Sequence, residues 1–347
     1  MELKNYKNIF DYIKKVAPGT SIRNGINNIL NAGIGALIVF DCQNLYSEKL
    51  FEGGFRLNCR FTPEKLFELA KMDGAIIISS DLKRIMSANV LITPKNNIPS
   101  DETGTRHQAA ERCAKQGETF VIAISERKRV VSLYYKNSRY ILKNPNDILS
   151  EISTNLQVLE KQRELFNNLV SNLDILEVSH MVSTVNVCKV IQKAEIILKI
   201  SDYLKKSFME AGKNGNIMNM RYKELLRNVE SIEKEVIRDY SILTHKKTKT
   251  ILSNMTLDGM LDLDSIARLI IEKDLEEKIL SKGYRFLSHL KLNDKDISLL
   301  VRKFIDLKGI LSGEIHDFEE VLKNRAESIK EEIALVRENI LSGKSVF

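Results

Sequence analysis

Short apolar runs alternate with amphipathic segments along the first 145 residues of the chain. Apolar runs bounded by glycine, proline or charged residues, several of them rich in isoleucine and valine, predict buried strands. Six such runs are present: Ala36–Phe40, Phe55–Phe61, Ala75–Ser79, Asn89–Thr93, Thr119–Ser125 and Val130–Tyr135. Two helices are predicted between them, Pro63–Met72 with Thr62 as its N-cap and Arg106–Gln116 closed by Gly117. This pattern predicts an α/β domain around a mixed central sheet.

After residue 145 the pattern becomes helical. Apolar residues recur at spacings of three, four and seven from Ile152 to Leu176, which is typical of a long amphipathic helix. Further helices are predicted over Ile232–Leu243 and Ile266–Leu280, with a turn at Ala211–Asn219 between helices. All five prolines precede residue 146, and short helices begin after Gly283. We therefore predict three domains: an α/β domain (1–145), an all-α helical spine (146–285) and a small helical domain (286–347).

Charge is distributed unevenly over the 347 residues, whose formal net charge is +7. Residues 1–146 hold 22 Lys and Arg against 14 Asp and Glu, a balance of +8, whereas residues 147–286 are neutral and residues 287–347 carry −1. A polyphosphate ligand could use this excess in the first domain, although a scattered basic surface explains it equally well.

Cysteine spacing and the shortness of the apolar runs indicate where the protein works. The four cysteines show no paired spacing, which predicts a reduced, cytoplasmic protein; they are Cys42, Cys59, Cys113 and Cys188. The run Ala36–Phe40 is far too short to cross a bilayer, so no membrane partner is expected.

Asp73 and Gly74 stand between a predicted helix and a buried strand. Taken alone, they are explained by a helix that ends with Gly74 in the left-handed conformation. A carboxylate is disfavoured at the negative end of a helix, however, which indicates another role for Asp73, such as binding a metal ion.

The segment Thr103–His107 places small residues, a guanidinium and an imidazole at the start of the second predicted helix. Thr105 and Gln108 have the spacing of a capping box, which predicts a purely structural role. Capping does not explain why Arg106 and His107 lie in the first turn, because cations are disfavoured there unless an anion is bound. A triphosphate would supply that anion.

Other candidate motifs carry less weight. The basic cluster Ser125–Arg129 follows a buried strand and is explained in isolation by a charged hairpin turn. The remaining four histidines have no metal-ligand spacing. The chain has no GxxxxGK[ST] motif and no GxGxxG after a strand, so neither a P-loop nor a Rossmann domain is predicted.

Taken together, these segments resemble the diadenylate cyclase family. The resemblance rests on the order and spacing of Gly53–Phe55, Phe61–Pro63, Leu69–Ile76, Ala88–Val90, Glu102–His107, Ala110–Arg112 and Val121–Ser125. The three-part layout resembles that of family members in which a helical spine and a helix-hairpin-helix tail follow the cyclase domain.

The resemblance implies that two ATP molecules are condensed to cyclic di-AMP with release of two pyrophosphates, using Mg²⁺ or Mn²⁺. It implies that Asp73 binds the metal and helps to activate the ribose 3′-hydroxyl, and that Arg106 and His107 are catalytic and neutralise developing charge. The ATP-binding residues that it implies are Gly74, Ile92, Thr103, Gly104, Thr105, Arg106, His107 and Ser125.

Two ATP molecules must face each other for the ring to close, so a single domain that holds one ATP is insufficient. The resemblance implies a homo-octamer for this purpose. It also implies DNA binding by the tail, linked to sensing of DNA integrity.

Two departures from the family pattern stand out. Gln108 replaces an arginine, which removes one positive charge from the first-turn motif. In the tail, a glycine-containing hairpin is replaced by Val321–Arg325, where Lys323 and Arg325 are the candidate DNA contacts. Without glycine, and with a net charge of −1, this tail is predicted to bind DNA weakly. Glycine at positions 322 and 324 is predicted to strengthen that binding.

The alternative function is a DNA-junction-binding scaffold whose nucleotide site is not an efficient cyclase.

Overall fold

The computed structural model describes residues 9–41 and 50–343, which form two compact units. The first unit comprises Met1–Ser153 with Leu204–Asn219, and the second comprises Thr154–Tyr203 with Met220–Phe347. The division into three domains at residues 145 and 285 stays a prediction. Cys42 lies outside the described residues, and Cys59, Cys113 and Cys188 are free thiols.

The first unit is built on one eight-stranded sheet. Its strands are β1 (Ala36–Asp41), β2 (Phe51–Glu52), β3 (Phe55–Arg60), β4 (Ala75–Ser79), β5 (Arg84–Ile92), β6 (Phe120–Ile124), β7 (Val131–Tyr135) and β8 (Ser138–Ile141). Along the sheet the order is β2-β5-β4-β1-β6-β7-β8, and β3 pairs with β5. Strands β1 and β4 are parallel, and the other pairs are antiparallel. The predicted α/β class and mixed sheet are confirmed.

Helices cover both faces of this sheet. They are α1 (Ile9–Lys15), α2 (Ser21–Asn31), α3 (Pro63–Leu69) and α4 (Thr105–Gln116). Alternate residues of β1 point to opposite faces: Ile38 belongs to the core that holds α1, α2 and α3, whereas Val39 packs in the core that holds α4. The predicted N-cap of α3 is confirmed, since the Thr62 hydroxyl accepts from the Lys65 N–H.

Helices dominate the rest of the chain. They are α5 (Pro145–Val178), α6 (Thr184–Ala211), α7 (Asn216–Leu225), α8 (Val229–Tyr240), α9 (His245–Asn254), α10 (Leu257–Leu261), α11 (Leu263–Ile266), α12 (Tyr284–Ser288), α13 (Asp294–Phe304), α14 (Leu307–Ser312), α15 (Ile315–Leu322) and α16 (Ala326–Leu341). A 3₁₀ turn over Gly212–Gly215 separates α6 from α7, so the observed break is shorter than the predicted turn at Ala211–Asn219.

The helix predicted over Ile266–Leu280 is wrong. A π-helical turn follows α11 and ends at Ile271, where Glu272 adopts the left-handed conformation with φ +58°. The carbonyls of Leu275 and Glu277 then accept hydrogen bonds from Val185 and Thr184. Backbone pairing across the second unit therefore replaces the helical hydrogen bonds that the local apolar spacing predicted.

Helices α12 to α16 pack around an apolar core of their own, which includes Leu287, Leu300, Phe318 and Ile329. Arg285 of α12 is buried, and its guanidinium pairs with Asp174 at 2.5 Å and Glu177 at 2.7 Å. Since a buried charge is costly unless it is paired, these two carboxylates of α5 fix the position at which α12 begins.

Candidate active site

A cleft of about 880 Å³ lies at the N-terminal end of α4, on the sheet face that α4 covers. The structure places every predicted nucleotide-binding residue in its lining. These residues are Gly74, Ile92, Thr103, Gly104, Thr105, Arg106, His107 and Ser125. They come from four separate parts of the first unit, and their roles stay predictions.

Asp73 is exposed and does not line the cleft, although its neighbour Gly74 does. Helix α3 ends at Leu69 with Ala70 as its C-cap, so Asp73 lies beyond the helix end. The predicted conflict between Asp73 and the helix dipole is therefore wrong. Among the residues that the structure describes, no hydrogen bond or ion pair reaches the Asp73 side chain, so its carboxylate is available to a ligand.

Gly74 has φ +84°, which fits the predicted left-handed glycine. A Cβ at this position would lie 2.9 Å from both the Asn89 carbonyl carbon and the Val90 carbonyl oxygen. Gly74 thus lets the turn after Asp73 pass close to the backbone of β5. The close approach seen here is to the protein itself; approach to a nucleotide stays a prediction.

The N-terminus of α4 has no side-chain cap. Gly104 is the N-cap residue, and Thr105 is already the first residue of the helix, so the capping box predicted for Thr105 and Gln108 is wrong. The Gln108 amide donates to the Glu102 carbonyl at 2.7 Å instead. Because the side-chain oxygen of an N-cap residue normally accepts from a first-turn N–H, those groups are left for a bound anion here.

The loop before α4 is tied to the helix that it precedes. The Glu111 carboxylate accepts from the Ser100 hydroxyl at 2.6 Å and from the Asp101 N–H at 3.2 Å. Arg112 of the same helix donates to the Ile98 carbonyl at 2.9 Å. The segment from Glu102 to Gly104 is thereby held beside the first turn of α4.

Cations predominate in the lining of the cleft. Arg106, Arg127, Lys128 and Arg139 line it, against the carboxylates of Glu102 and Glu126. Arg139 is paired with Glu102, whereas the other three cations make no ion pair with any residue that the structure describes. The turn after β6, interpreted from sequence as a charged hairpin, therefore also contributes positive charge to the cleft.

Gly35 determines where the Arg106 side chain can lie. A Cβ on Gly35 would come within 2.0 Å of Arg106 Nη1 and 2.9 Å of its Cζ. The guanidinium therefore lies against the bare backbone just before β1. Sequence reasoning missed this residue because the two positions are 71 residues apart and no local motif connects them.

Replacing Gly35 with alanine should displace the Arg106 guanidinium without unfolding the domain. A charge-assisted hydrogen bond from this guanidinium to a bound phosphate would contribute about 1.5–3 kcal/mol, so we expect the KM for ATP, the substrate that the sequence resemblance implies, to rise by about tenfold or more. Steady-state kinetics of Gly35→Ala test this. In an Arg106→Ala background the same change should have no further effect on KM; an equal effect in both backgrounds would contradict the contact.

His107 is half-buried, and its Nδ1 lies 2.9 Å from the Tyr134 hydroxyl. Burial lowers the pKa of His107 below its ordinary value; the Glu102 carboxylate opposes this, and the cations Arg139, Arg106 and Lys128 lower the pKa further. The ring is therefore neutral at pH 7 when the cleft holds no anion. Glu102, Tyr134 and Arg139 are further residues that the sequence did not identify as part of the site.

Apolar side chains line another part of the cleft. Ile92 is 9% exposed and lies near the end of β5, beside Leu91, which is 60% exposed. Leu37, Val90 and Ile141 also contribute to the lining. The cleft thus combines a cationic portion with an apolar portion, as a ligand with a phosphate chain and a flat aromatic base requires.

No group of three or more His, Cys, Asp and Glu side chains is arranged to hold a metal ion in the described part of the chain. Asp73 is a single exposed carboxylate. This fits an ion such as Mg²⁺, which protein sites usually hold through one or two carboxylates together with substrate phosphates.

Among residues 9–41 and 50–343, no helix has the length and apolar character needed to span a membrane.

Two protein-family models match the chain. The model for the DisA bacterial checkpoint controller nucleotide-binding domain covers residues 23–139, and the model for the DisA linker region covers residues 142–275. A "DNA integrity scanning protein DisA" from Acetivibrio thermocellus is 37% identical over 98% of this chain and 97% of its own length. The chain belongs to the DisA family. Relatives with the same name from Carboxydothermus hydrogenoformans (38% identical, 94% of this chain, 96% of the relative) and Fusobacterium nucleatum (36%, 90% and 91%) match similarly.

The nucleotide-binding domain of the DisA family includes the whole cleft except Ile141, which lies two residues beyond the matched range. The linker model covers all of α5 and α6 and the helices that follow as far as Leu275. The family assigned from the motifs of the first domain is confirmed by both models and by relatives that cover nearly the entire chain.

The candidate DNA contacts lie in the turn between α15 and α16. Lys323 adopts φ +52°, the region that favours glycine, although it carries a side chain. Arg325 donates to the Lys291 carbonyl at 2.7 Å and to Asp296 at 3.3 Å. One of the two predicted cations is thus already engaged by the hairpin between α12 and α13.

Proposed function

We propose that this protein is a diadenylate cyclase that condenses two ATP molecules into cyclic di-AMP and releases two pyrophosphates. The observation that carries the proposal is the uncapped N-terminus of α4, which opens into a cationic cleft within a nucleotide-binding domain of the DisA family. In the reaction, the 3′-oxygen of each ATP forms a bond to the α-phosphorus of the other. The 3′-hydroxyl loses its proton to solvent, the bond from the α-phosphorus to the oxygen that bridges it to the β-phosphorus breaks, and pyrophosphate leaves with that oxygen.

The phosphates bind at the first turn of α4 in this proposal. The N–H groups of Thr105, Arg106 and His107 precede the first intrahelical bond of the helix, which runs from the Gln108 N–H to the Gly104 carbonyl at 2.8 Å. They are joined by Arg106 and by Arg127 and Lys128 from the turn after β6. Fixed donors around the reacting phosphate stabilise the charge that moves onto the leaving pyrophosphate.

The adenine base occupies the apolar portion of the cleft. Ile92 and Val90 of β5 and Leu37 of β1 offer flat contact to an aromatic ring. Gly74 lies beside them, and its lack of a side chain lets the turn after Asp73 pass close to the backbone of β5. The base and the phosphates are therefore held by different elements, which fixes the orientation of the ribose between them.

Asp73 holds the divalent cation, Mg²⁺ or Mn²⁺, that accompanies ATP. When bound, this ion neutralises phosphate charge and favours ionisation of the attacking hydroxyl. Among the described residues, no cation forms an ion pair with the Asp73 carboxylate, so this group is available for that role.

A second copy of the chain supplies the second ATP. One cleft lined by one set of phosphate-binding groups accommodates one triphosphate, and ring closure needs two nucleotides face to face. Leu91 and Ile141 line the cleft and are 60% and 46% exposed, which is typical of apolar surface that another subunit covers. We propose a homo-octamer, in keeping with the family resemblance.

The tail binds DNA weakly, through helical hairpins of the helix-hairpin-helix type. Of the two candidate cations in the turn between α15 and α16, only Lys323 is without a partner among the described residues, because Arg325 is paired with Asp296. The number of phosphates neutralised sets both the affinity and its dependence on salt. DNA sensing by this chain therefore rests on few phosphate contacts.

We expect a four-way DNA junction to bind with a Kd no tighter than about 1 µM at physiological salt, since few phosphates are neutralised. Fluorescence anisotropy at two salt concentrations measures both the affinity and its dependence on salt. Submicromolar affinity would contradict the proposal that the tail binds weakly.

Glycine at position 324 should strengthen this binding, because it lets the backbone of the turn approach a phosphate while the charge of Lys323 is kept. Glycine at position 322, the other predicted position, would also leave a cavity, since Leu322 is buried in the tail core. Anisotropy titrations of Asn324→Gly beside the native protein measure the change. Unchanged or weaker binding by Asn324→Gly would contradict the prediction.

A further inference from the structure

Behind His107 lies a chain of hydrogen bonds that ends at an ion pair. The Tyr134 hydroxyl lies 2.9 Å from His107 Nδ1 and 2.6 Å from Glu102 Oε1. Arg139 Nε lies 2.8 Å from the same carboxylate oxygen. Tyr134 is 1% exposed and the Glu102 side chain 11%, so these contacts are protected from competition with water.

The direction of the hydrogen bonds follows from the chemistry of the groups. An ionised carboxylate only accepts, so the Tyr134 proton is donated to Glu102. The tyrosine oxygen then has only lone pairs to offer His107. Nδ1 must therefore carry the proton in this bond, which leaves Nε2 as the nitrogen that can face the cleft.

We propose that Tyr134 and Glu102 are positioning residues that hold His107 with its proton on Nδ1 and present Nε2 to the phosphates of bound ATP. Arg139 pairs with Glu102 and holds it in place as the final acceptor. The inference rests on the proposed function, in that the cleft binds ATP. It adds the residues that determine which nitrogen of His107 meets the nucleotide.

The charges around His107 make this arrangement respond to the ligand. Glu102, Arg139, Arg106 and Lys128 act on the ring from the loop before α4, from β8, from α4 itself and from the turn after β6. Burial and the three cations lower the pKa of the ring, and Glu102 raises it. The triphosphate brings further negative charge, which favours protonation at Nε2. The protonated ring then donates one hydrogen bond to Tyr134 and another to a phosphate oxygen.

The test is ¹⁵N NMR of the full-length protein labelled at histidine, with His107→Gln used to assign the His107 signals. We expect the Nδ1–H form in the native protein and a shift to the Nε2–H form in Tyr134→Phe. We also expect the Nε2 signal to move when ATP is added. A native ring in the Nε2–H form, or a tautomer that Tyr134→Phe leaves unchanged, would overturn the proposal.

Kinetics supply the second readout. Tyr134→Phe keeps the ring that packs in the core, so we expect normal folding and a fall in kcat of about 10–100-fold with little change in KM. The acidic limb of the pH–rate profile of Tyr134→Phe should also shift. Glu102→Gln keeps an acceptor for Tyr134 but loses the charge, and should have a smaller effect on kcat; an equal or larger KM effect in either variant would contradict a positioning role.

Tyr140→Phe is the matched control. Tyr140 also donates to a buried carboxylate, that of Glu210, but it does not line the cleft. This variant should leave the His107 tautomer and kcat unchanged. If the native protein forms no cyclic di-AMP, the tautomer and its response to ATP still decide the positioning claim, so failure of the proposed function is separable from failure of this inference.

Discussion

Replacing Asp73 with asparagine is expected to lower the rate of cyclic di-AMP formation by about 10²–10³-fold, because several kcal/mol of charge stabilisation depend on this carboxylate and each 1.4 kcal/mol is tenfold in rate. The fold should be unaffected, since Asp73 is exposed and makes no hydrogen bond or ion pair with any described residue. Initial rates with saturating Mn²⁺ and a thermal melt measure the two effects.

Asp147→Asn is the matched control for this substitution. Asp147 is likewise an exposed carboxylate of the first unit, in the first turn of α5, and it does not line the cleft. Its replacement should cost at most about 1 kcal/mol of stability through the helix dipole and leave the rate unchanged. If Asp73→Asn kept most of its activity, Asp73 would not be the metal-binding residue.

Dissociating the assembly is expected to abolish synthesis while leaving ATP binding in place. The residues that we propose to bind phosphate line the cleft of a single chain, so a single chain should still bind ATP. Ring closure needs a second nucleotide on a facing subunit, so specific activity should fall steeply once dilution produces monomers. Light scattering run alongside a rate assay follows both quantities, and a monomer with full specific activity would contradict the account.

The central strands of the sheet were predictable because their residues are apolar on both faces. Ala75–Ser79 was placed at its observed ends, and Ala36–Phe40 is one residue short of β1. The edge strand β8 (Ser138–Ile141) was missed, since three of its four residues are exposed and its pairing with β7 comes from tertiary structure. Helix α2 (Ser21–Asn31) was missed as well, because its asparagines and its glycine have low helix propensity.

The candidate site was predictable where its chemistry is local in sequence. Thr103–His107 and Gly74 were identified from their residue types, and the structure brings them into one cleft. The capping box failed at the position where an uncapped helix would serve ligand binding, which is where local stability rules are expected to fail.

Residues that act through long-range contacts could not be found in this way. Gly35 faces a guanidinium 71 positions away, and Tyr134 reaches His107 and Glu102 across 27 and 32 positions. In the tail, Lys323 adopts a positive φ although it is not glycine, so the absence of glycine from the sequence did not show that this conformation is retained. Only the folded backbone shows these relations.

The most direct test is to incubate the purified full-length protein with ATP and Mn²⁺ or Mg²⁺ and to analyse the products by mass spectrometry. We expect the native protein to form cyclic di-AMP and to release two pyrophosphates for each molecule formed. At the same protein concentration, Asp73→Asn should form only a residual trace of cyclic di-AMP. Saturable ATP binding without any cyclic di-AMP from the native assembly would contradict the account, and would support a nucleotide-binding scaffold instead.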